Sequence, residues 1–346
     1  MAPLVSVAMP VYNGEPYLRD AIASVLAQTC AELEFVIVDD GSTDATPEIL
    51  KETAAGDRRV VVHRQPNAGH TAARNLACRL ARAPLIACFD ADDIAHPDRL
   101  RRQREFLLTH PNVAAVGGAV ELIDERGERF ATRAPSTTHV SLCRILEHAS
   151  PFFHSSVMLR KDTFESVGGY RAQFGPADDY DLWLRLAARY ELAGIPDVTG
   201  GYRVHLSMMS ARQVDEEGLL SFAARLSAKA RAAGKSDPLA SVQHIDRETL
   251  LGLDVDQRDI TEAIVDMTTW LAKTLGRAGY EREDVLFSRA LALARDESGS
   301  PALVTRVLSQ RATRRHEQGR RWRATVDSLR AKWVLRSSWW PVRGRP

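Results

Sequence analysis

Short apolar runs alternate with segments of helical periodicity through the first 120 residues, and this alternation constrains the fold more than any other feature of the sequence. Residues 4–9 are typical of a buried strand, and in residues 17–28 the side chains of Ile22, Val25 and Leu26 share one helical face. Strands and helices that alternate at this spacing predict a mostly parallel sheet with helices on both faces. Thr46 followed by Pro47 predicts a helix start with Thr46 as the N-cap. The pattern further predicts strands at 35–38, 60–63, 85–89 and 113–116 and helices at 47–55, 71–82 and 98–110.

Beyond residue 120 the pattern changes twice. Residues 121–210 mix short apolar segments with a strong helical signal at 180–189. Residues 215–295 are rich in Ala, Leu, Glu and Arg with helical periodicity, which indicates a separate helical region. We therefore predict an α/β domain over residues 1–210, a helical extension over 211–300 and a basic, Trp-rich C-terminal helix or tail over 301–346.

The net charge of +1 hides an uneven distribution of the 46 basic and 45 acidic residues. From residue 301 onward there are 12 basic and 2 acidic residues, a charge of +10, which leaves −9 on residues 1–300. Four of the six Trp residues lie in the same tail. A basic helix with interleaved Trp is typical of segments that bind an anionic membrane surface.

The tail has two interpretations. It binds an anionic membrane as an amphipathic helix, or it packs on the acidic catalytic region, within one molecule or across a homodimer. The membrane interpretation depends on Val304, Val307, Leu308, Arg315, Trp322, Trp333, Arg336 and Trp339-Trp340-Pro341.

The sequence also excludes several classes of protein. No stretch approaches the roughly 18–20 uncharged apolar residues that a membrane-spanning helix needs. The first residues lack the pattern of a secretory signal, and Cys30, Cys78, Cys88 and Cys143 form no CxxC pair. We expect a cytoplasmic protein without structural zinc, held peripherally on the inner face of the membrane if the tail binds lipid.

Acidic and turn-forming residues collect directly after three predicted strands, at the edge where parallel sheets bind ligands. Pro10-Val11-Tyr12-Asn13 follows the first strand, Asp39-Asp40-Gly41-Ser42 the second and Asp90-Ala91-Asp92-Asp93 the fourth. Asp90 and Asp92 present oxygens suited to a hard divalent cation that also holds a diphosphate. The alternative is that these carboxylates only form turns and caps, since Asp is common at strand ends.

Asp39 and Asp40 are candidates to accept hydrogen bonds from a nucleobase or ribose, and Tyr12 is a candidate to stack on the base. The sequence contains neither GxGxxG nor GxxxxGK[ST], which disfavours a dinucleotide dehydrogenase and a P-loop phosphotransferase. A phosphate-bearing ligand would then be held by a metal ion and basic side chains.

These residues belong to a series of short motifs in a fixed order. The motifs are VSVAMPVYN at 5–13, VDDGSTD at 38–44, NAGHTAARN at 67–75, DADD at 90–93, Pro151 with HSSVM at 154–158, ADDYDLWLR at 177–185 and YRVH at 202–205. The series covers about residues 3–210 and resembles the family 2 glycosyltransferases of the GT-A fold, a Rossmann-like α/β architecture. Each motif is weak alone, but their order makes a chance match very improbable.

The resemblance implies an inverting enzyme that transfers a sugar from a nucleotide-sugar, usually a UDP-sugar, with Mn²⁺ or Mg²⁺ as cofactor. It implies Asp92 as the principal metal ligand, assisted by Asp90 and His205, although a His on such a turn is also explained by a purely structural role. Arg74 resembles the family's basic residue near the diphosphate. The residues implied to bind the donor are Pro10, Tyr12, Asp39, Asp40, Asn67, Arg74 and Asp90.

The resemblance also implies Asp179 as the catalytic base, because inversion needs a carboxylate that deprotonates the acceptor hydroxyl during its attack on C1. The family pattern has Glu-Asp where this chain has Asp178-Asp179, so Asp178 is a second candidate. Asp181 is interpreted as compensating the dipole at a helix start. His70, His154 and Ser155 are assigned either to the donor pocket or to structural roles, and Trp183 and Leu184 to the core.

The implied acceptor is a glycan, a lipid-linked molecule or a small molecule used in cell-envelope polysaccharide, lipid-linked glycan or other glycoconjugate synthesis. One rival is a nucleotidyltransferase that forms nucleotide-sugars, but its expected Gly-rich basic loop is missing at residues 10–15. Another rival is a non-catalytic protein that binds sugar-nucleotides or polyanions. Nucleic acid is not an expected partner, because the excess of basic residues is confined to the tail.

Overall fold

The computed structural model describes residues 2–337, without the side chains at 321, 322, 333 and 335–337. Contacts divide the chain into two units. The first unit contains residues up to 204 together with Ala224–Gln243, and the second contains His205–Ala223 together with the chain from residue 244 onward.

The first unit contains every strand and helix predicted for residues 1–120, with ends shifted by a few residues. Its strands are β1 (Val5–Val11), β2 (Leu33–Asp39), β3 (Val60–Arg64), β4 (Leu85–Cys88), β5 (Ile94–Ala95), β6 (Val113–Ile123), β7 (Arg129–Arg133), β8 (Val157–Arg160) and β9 (Glu191–Arg203). Its helices are α1 (Glu15–Leu26), α2 (Thr46–Gly56), α3 (His70–Leu80), α4 (Arg99–Thr109), α5 (His139–Leu146), α6 (Lys161–Ser166) and α7 (Asp178–Ala187).

Nine strands of the described residues form one sheet in the order β3-β2-β1-β4-β8-β6-β9-β5, and β7 pairs with β6. The first four of these strands are parallel, as the alternation of strands and helices predicts. Beyond β4 the sheet is mixed, because β8 lies antiparallel to both β4 and β6 while β6 and β9 are parallel. A short turn joins β6 to β7, which permits only antiparallel pairing, since parallel strands need a long crossover.

Helices cover both faces of the parallel strands. Alternate side chains of a strand point to opposite faces, and Val5, Val7, Met9 and Val11 of β1 share one buried cluster with side chains of α1, α2 and α4. Helix α3 contacts β1 and β2 and contributes buried alanines that are absent from that cluster. Each fully buried large apolar side chain stabilises the fold by about 1.5–3 kcal/mol.

The start of α2 differs from the prediction. Ala45 is the N-cap, and Thr46 is the first helical residue. The Thr46 hydroxyl accepts a hydrogen bond from the Gly14 backbone N–H at 2.9 Å instead of capping its own helix. Asp44 takes over the capping contact, because its Oδ1 accepts from the Thr46 N–H at 3.0 Å.

The second unit is helical in the part that the structure describes. Helix α9 (Val214–Ala232) begins in this unit and ends in the first. The apolar side chains of the last four helices form one core that includes Val265, Phe287, Leu291 and Leu308. The other helices are α8 (Met209–Arg212), α10 (Arg247–Leu251), α11 (Gln257–Arg277), α12 (Glu283–Asp296), α13 (Pro301–Glu317) and α14 (Arg321–Ser337).

The described part of the basic tail packs within the second unit. Val304, Val307 and Leu308 of α13 are buried in the helical core, so this apolar face is not available to a membrane. Arg311 and Arg315 both pair with the buried Asp327 of α14, at 2.8 and 2.7 Å. Packing of the tail on the catalytic region was one of the two interpretations, but these apolar and acidic partners of α13 belong to the second unit. The side chains of Trp322, Trp333 and Arg336, and the segment Trp339-Trp340-Pro341, lie outside the described residues.

No helix among residues 2–337 is both long and apolar enough to cross a bilayer.

Candidate active site

The carboxyl ends of β1, β2 and β4 lie at one edge of the sheet, because these strands are parallel neighbours. Tyr12 follows β1, Asp39 ends β2 and Asp90 lies two residues after β4. The structure therefore brings the three predicted acidic and turn-forming segments to a common edge.

Hydrogen bonds from main-chain N–H groups to side-chain oxygens fix the loop after β2. The Asn13 backbone N–H donates to the Ser42 hydroxyl at 2.9 Å. The side-chain Oδ1 of Asn13 accepts from the Thr43 N–H at 2.8 Å. Gly41 has φ +80°, and a Cβ at this position would lie 2.8 Å from the backbone N of Asn67. Only glycine combines this backbone conformation with so close an approach.

Asp40 is buried, and its carboxylate binds the main chain of the next loop. Oδ1 accepts hydrogen bonds from the Gln65 side chain at 2.7 Å and the Ala68 N–H at 2.9 Å, and Oδ2 accepts from the Gly69 N–H at 2.9 Å. These three donors use most of the acceptor capacity of the carboxylate. The geometry therefore gives the predicted base-binding residue a role in shaping the loop.

The neighbouring Asp39 has one carboxylate oxygen that accepts no hydrogen bond from the described residues. Its Oδ1 accepts from the Ser42 N–H at 2.8 Å, whereas its buried Oδ2 has no hydrogen-bond donor in the described chain and lies 3.4 Å from Arg64 Nε. Buried carboxylate oxygens are normally hydrogen-bonded, so an open Oδ2 suits a ligand N–H. Tyr12 beside it is 51% exposed.

The two other predicted donor residues of this edge differ in exposure. Asn67 is exposed, whereas Pro10 is half-buried inside β1 opposite Val38.

Arg74 joins two carboxylates from separate parts of the sequence. Its Nη1 donates to Asp178 Oδ1 at 2.7 Å and its Nη2 to Asp90 Oδ1 at 3.0 Å, while the buried Nε has no acceptor among the described residues. Burial alone would lower the pKa of Arg74, but Asp178 and Asp90 outweigh it and raise the pKa. Arg74 is therefore a permanent cation at the centre of the site.

His154 holds the opposite side of Asp90. Its Nδ1 lies 3.0 Å from Asp90 Oδ2 and its Nε2 lies 2.9 Å from the Tyr170 hydroxyl. Burial and Arg74 lower the pKa of His154, but Asp90 outweighs them and raises it to about 10. The imidazole is therefore protonated at neutral pH and donates from both nitrogens. Ser155 also donates to Asp90 Oδ2, at 3.1 Å.

Asp90 is consequently saturated with donors. Burial would raise its pKa, but His154 and Arg74 hold it well below the ordinary range. Because Arg74, His154 and Ser155 occupy its oxygens, a role in orienting the site fits Asp90 better than a full share in metal binding.

Asp92 is half-buried, and Arg203 fixes its backbone. Arg203 Nε donates to the Asp92 carbonyl at 2.8 Å, and the Arg203 N–H donates to Asp93 Oδ1 at 2.8 Å. Burial, with Asp92 and Asp90 nearby, raises the pKa of Asp93. Arg203 and Asp93 were not among the predicted site residues, although both lie inside the recognised motifs.

The first turn of α7 carries both predicted catalytic carboxylates. Asp178 is fully buried and accepts from Arg74 and from the Thr71 hydroxyl at 2.7 Å, with His70 Nε2 3.4 Å away. Burial would raise the pKa of Asp178, but Arg74 and His70 hold it well below the ordinary range.

Asp179 differs from its neighbour. It is half-buried, and its Oδ1 accepts from the Tyr180 backbone N–H at 2.6 Å, the one donor to Asp179 among the residues that the structure describes. Burial, together with the adjacent Asp178, raises the pKa of Asp179. A carboxylate with a raised pKa and unused acceptor capacity has the properties of a general base.

The remaining predicted residues have structural contacts. Asp181 is fully buried and pairs with Arg171 and Arg185, a stronger role than dipole compensation. His70 Nε2 contacts the Gly175 carbonyl at 3.0 Å, and Trp183 is fully buried in the core.

His205 begins the second unit, where its Nδ1 lies 2.7 Å from the Ser207 hydroxyl. Within the described residues, no three His, Cys, Asp or Glu side chains are arranged to hold a metal ion by themselves.

Comparison with known proteins decides the family. A family model described as Glycosyl transferase family 2 matches residues 6–172. The amylovoran biosynthesis glycosyltransferase AmsE of Erwinia amylovora is 30% identical over 217 residues, which cover 61% of this chain and 80% of AmsE. The chain belongs to glycosyltransferase family 2. The putative glycosyltransferase EpsE of Bacillus subtilis (strain 168) is 35% identical over 187 residues, which cover 53% of this chain and 66% of EpsE.

Solved structures confirm the GT-A fold of this family 2 chain. S. aureus TarS 1-349 in complex with UDP-GlcNAc has a TM-score of 0.53 at 18% identity, covering 92% of each chain. The mannosyltransferase PcManGT from Pyrobaculum calidifontis in complex with GDP-Man and Mn²⁺ has a TM-score of 0.52 at 20% identity, covering 96% of this chain and 88% of that one. At these identities the likeness concerns the fold alone.

Proposed function

We propose that this protein is an inverting glycosyltransferase that moves a sugar from a UDP-sugar to an acceptor hydroxyl in the synthesis of a cell-envelope polysaccharide, lipid-linked glycan or other glycoconjugate. The relative AmsE is named for amylovoran biosynthesis, and TarS was solved with UDP-GlcNAc. Family membership supports the transfer of a sugar, and these relatives support the donor and acceptor classes.

Asp179 carries the proposal of inversion. It is a half-buried carboxylate with a raised pKa beside a cluster of Arg74, Asp90 and Asp178. In one displacement the acceptor oxygen bonds to C1 while the bond from C1 to the diphosphate oxygen breaks. The hydroxyl proton passes to the Asp179 carboxylate, and the diphosphate leaves with the bonding electron pair. Attack opposite the leaving group inverts the anomeric centre.

The contacts proposed for the nucleotide-sugar donor are made by side chains at the sheet edge that are exposed or have a polar atom without a hydrogen-bond partner in the described chain. Asp39 Oδ2 accepts the imide N–H of uracil, and the exposed ring of Tyr12 stacks on the base. Arg74 contributes fixed positive charge below the diphosphate. Its buried Nε has no acceptor among the described residues.

The residues fit a divalent cation that is shared with the donor. Mg²⁺ and Mn²⁺ are commonly held by one or two carboxylates together with substrate phosphate oxygens, so a complete protein cage is not required. Asp92 would be the principal ligand, with Asp90 as the further candidate of the first unit. When bound, the cation stabilises negative charge on the departing diphosphate.

The stereochemistry of the product tests the proposal. A panel of UDP-, GDP-, TDP- and CDP-sugars with Mn²⁺ is first screened by thermal shift, and the binders are assayed for transfer or hydrolysis. NMR of the first product should show the anomeric configuration opposite to that of the donor. A retained configuration would exclude Asp179 as the base of a single displacement. In Asp92→Ala, an unchanged metal dependence would exclude Asp92 as the principal ligand.

We further propose that this protein attaches peripherally to an anionic membrane on its cytoplasmic side. The exposed side of α14 supports the attachment to an anionic surface. Arg323, Arg330 and Lys332 are exposed and have no acidic partner in the described chain, and Leu329 is 60% exposed. Exposed cations beside an apolar side chain are typical of interfacial helices.

Flotation with vesicles containing anionic lipid tests this attachment. The full chain should float, and a variant with Ser at positions 323, 330 and 332 should float less. Equal flotation of the two proteins, or none of either, would contradict the membrane partner.

A further inference from the structure

The segment that leads into the candidate base contains a turn with a backbone conformation that favours glycine. Residues 172–177 run directly into Asp178 and Asp179. Gly175 has φ +41°, and its carbonyl contacts His70 Nε2 at 3.0 Å. The position of Asp179 therefore depends on how the two ends of this short segment are anchored.

Arg171, at the start of the segment, lies between two carboxylates. Its Nε donates to Asp181 Oδ2 at 3.0 Å, and its Nη1 donates to Asp237 Oδ2 at 2.8 Å. Arg185 also binds Asp181, and Arg231 also binds Asp237. The five side chains form a row of alternating charge, with Arg171 as its central cation.

Asp237 comes from a part of the chain that the family motifs do not include. It lies in Ala224–Gln243, beyond residues 6–172 matched by the family model, yet it belongs to the first unit. Its side chain is only 10% exposed, and it accepts further hydrogen bonds from the Ser227 hydroxyl and the Leu239 N–H. Burial raises its pKa, but these hydrogen bonds and Arg171 lower it to about 2.

A second contact joins the same two segments. Gln173 Nε2 donates to the Leu239 carbonyl at 3.3 Å, and Leu239 is fully buried. The turn around Asp237 therefore contacts the segment that leads into Asp179 at two residues. One contact is made by Arg171, just before the segment, and the other by Gln173, within it.

We propose that Asp237 is a positioning residue, which holds Arg171 and so fixes the segment that places Asp179 against the acceptor hydroxyl. This inference rests on the proposed function. Transfer needs the reacting atoms in near-contact, and a displacement of about 1 Å lowers rates up to 100-fold. The proposed donor residues lie outside residues 171–181, and the one contact described between the two sets is that of Arg74 with Asp178. We therefore expect loss of Asp237 to lower kcat much more than donor affinity.

The experiment compares Asp237→Asn and Asp237→Glu in the full chain with Glu297→Gln as the control. Glu297 pairs with Arg247 at 2.7 Å in the second unit, so the control also breaks a partly buried ion pair. In Asp237→Asn we expect kcat to fall by about 10- to 100-fold with the Kd of the UDP-sugar changed less than twofold. Asp237→Glu should recover part of kcat, and the control should stay within twofold.

Hydrogen exchange supplies a readout that does not depend on sugar transfer. Amides of residues 171–181 should exchange faster in Asp237→Asn than in the parent protein, and this difference should be absent in the control. Unchanged kcat or unchanged exchange would overturn the proposal, and so would equal losses of kcat and donor affinity. If the parent protein transfers no sugar from any donor, the proposed function fails, while the exchange result still decides whether Asp237 orders the segment.

Discussion

Two adjacent carboxylates at the start of α7 have opposite surroundings. Asp178 is buried and saturated by Arg74 and Thr71, which keep its pKa low. Asp179 is half-buried and has the Tyr180 N–H as its one donor within the described chain, and burial together with Asp178 raises its pKa. A saturated anion is a poor proton acceptor, whereas an under-solvated one is a good one. This contrast supports Asp179 over Asp178 as the base.

Replacing Asp179 should separate chemistry from binding. In Asp179→Asn we expect kcat to fall by about 10²- to 10⁴-fold, since the acceptor hydroxyl loses its general base, with donor affinity unchanged. Asp162→Asn is the control, because Asp162 also lies in the first turn of a helix, α6, but has no contact with the site residues described above. Steady-state kinetics and calorimetry with the donor measure the two quantities, and undiminished transfer would refute the assignment.

The pH profile should report the raised pKa of Asp179. The base must be ionised, so kcat falls as the pH drops through the pKa of Asp179 in the complex. Because burial raises that pKa, the acid limb should have its midpoint above the ordinary aspartate value of about 3.9. A midpoint at or below that value would show that another group, or a fully solvated carboxylate, controls the limb.

The sequence predicts which residues reach the site better than it predicts what each one does. Asp39 and Asp40 look equivalent in sequence, but Asp40 accepts from residues 65, 68 and 69 while Asp39 keeps one oxygen open. The difference comes from partners more than 20 positions away. Local patterns contain no information about such contacts, and the same holds for Arg203 on Asp92.

At the scale of elements, the loop after β2 depends on the close approach of two backbones. Gly41 adopts φ +80° with the Asn67 backbone N 2.8 Å from where a Cβ would lie. The loops that carry Asp39, Asp40 and Asn67 are thereby packed against each other. A side chain at position 41 would push them apart.

Gly41→Ala should therefore destabilise the protein and weaken donor binding. The left-handed backbone costs an L-residue about 1–2 kcal/mol before the clash with Asn67 is counted. Gly56→Ala is the matched control, because Gly56 lies in α2 and has no atom within 4 Å of the added Cβ. It should be neutral or slightly stabilising. Thermal melts and donor titrations measure both variants, and equal behaviour would contradict a packed loop.

Helices and strands up to residue 120 could be predicted because their periodicity is strong. The ends of these elements depend on distant contacts as well: the Thr46 hydroxyl accepts from the Gly14 N–H instead of capping its own helix. The antiparallel place of β8 between β4 and β6 could not be predicted, since no connection in the sequence indicates which edge a later strand joins.

At the scale of the whole molecule, the first unit is discontinuous in sequence. It includes Ala224–Gln243, which lies in a region whose composition indicates only helix. The preceding segment His205–Ala223 belongs to the second unit. The sequence could not predict this exchange, because the contacts of Leu239 and Asp237 are with residues about 66 positions earlier. The predicted boundaries at 210 and 300 stay a prediction.

Truncated chains test the boundary at 210. A chain that ends after residue 243 should melt at a higher temperature than one that ends after residue 210, by about 5 °C or more. The shorter chain loses the burial of Leu239 and one of the two carboxylate partners of Arg171. Circular dichroism melts of the two chains measure this difference. Equal melting temperatures would show that residues 1–210 are complete without the later segment.

The first unit is built from two separate stretches of the chain, and this also affects how the protein folds during synthesis. Domains near the N-terminus generally fold before the rest of the chain is made, at about 5–20 residues per second. Here β9 is complete at residue 203, but the segment that completes the unit ends at residue 243. For roughly 2 to 8 s at those rates, the first unit would lack its last segment, and Arg171 would have Asp181 but not Asp237 as a partner. We expect the newly made protein to be most prone to aggregation during this interval.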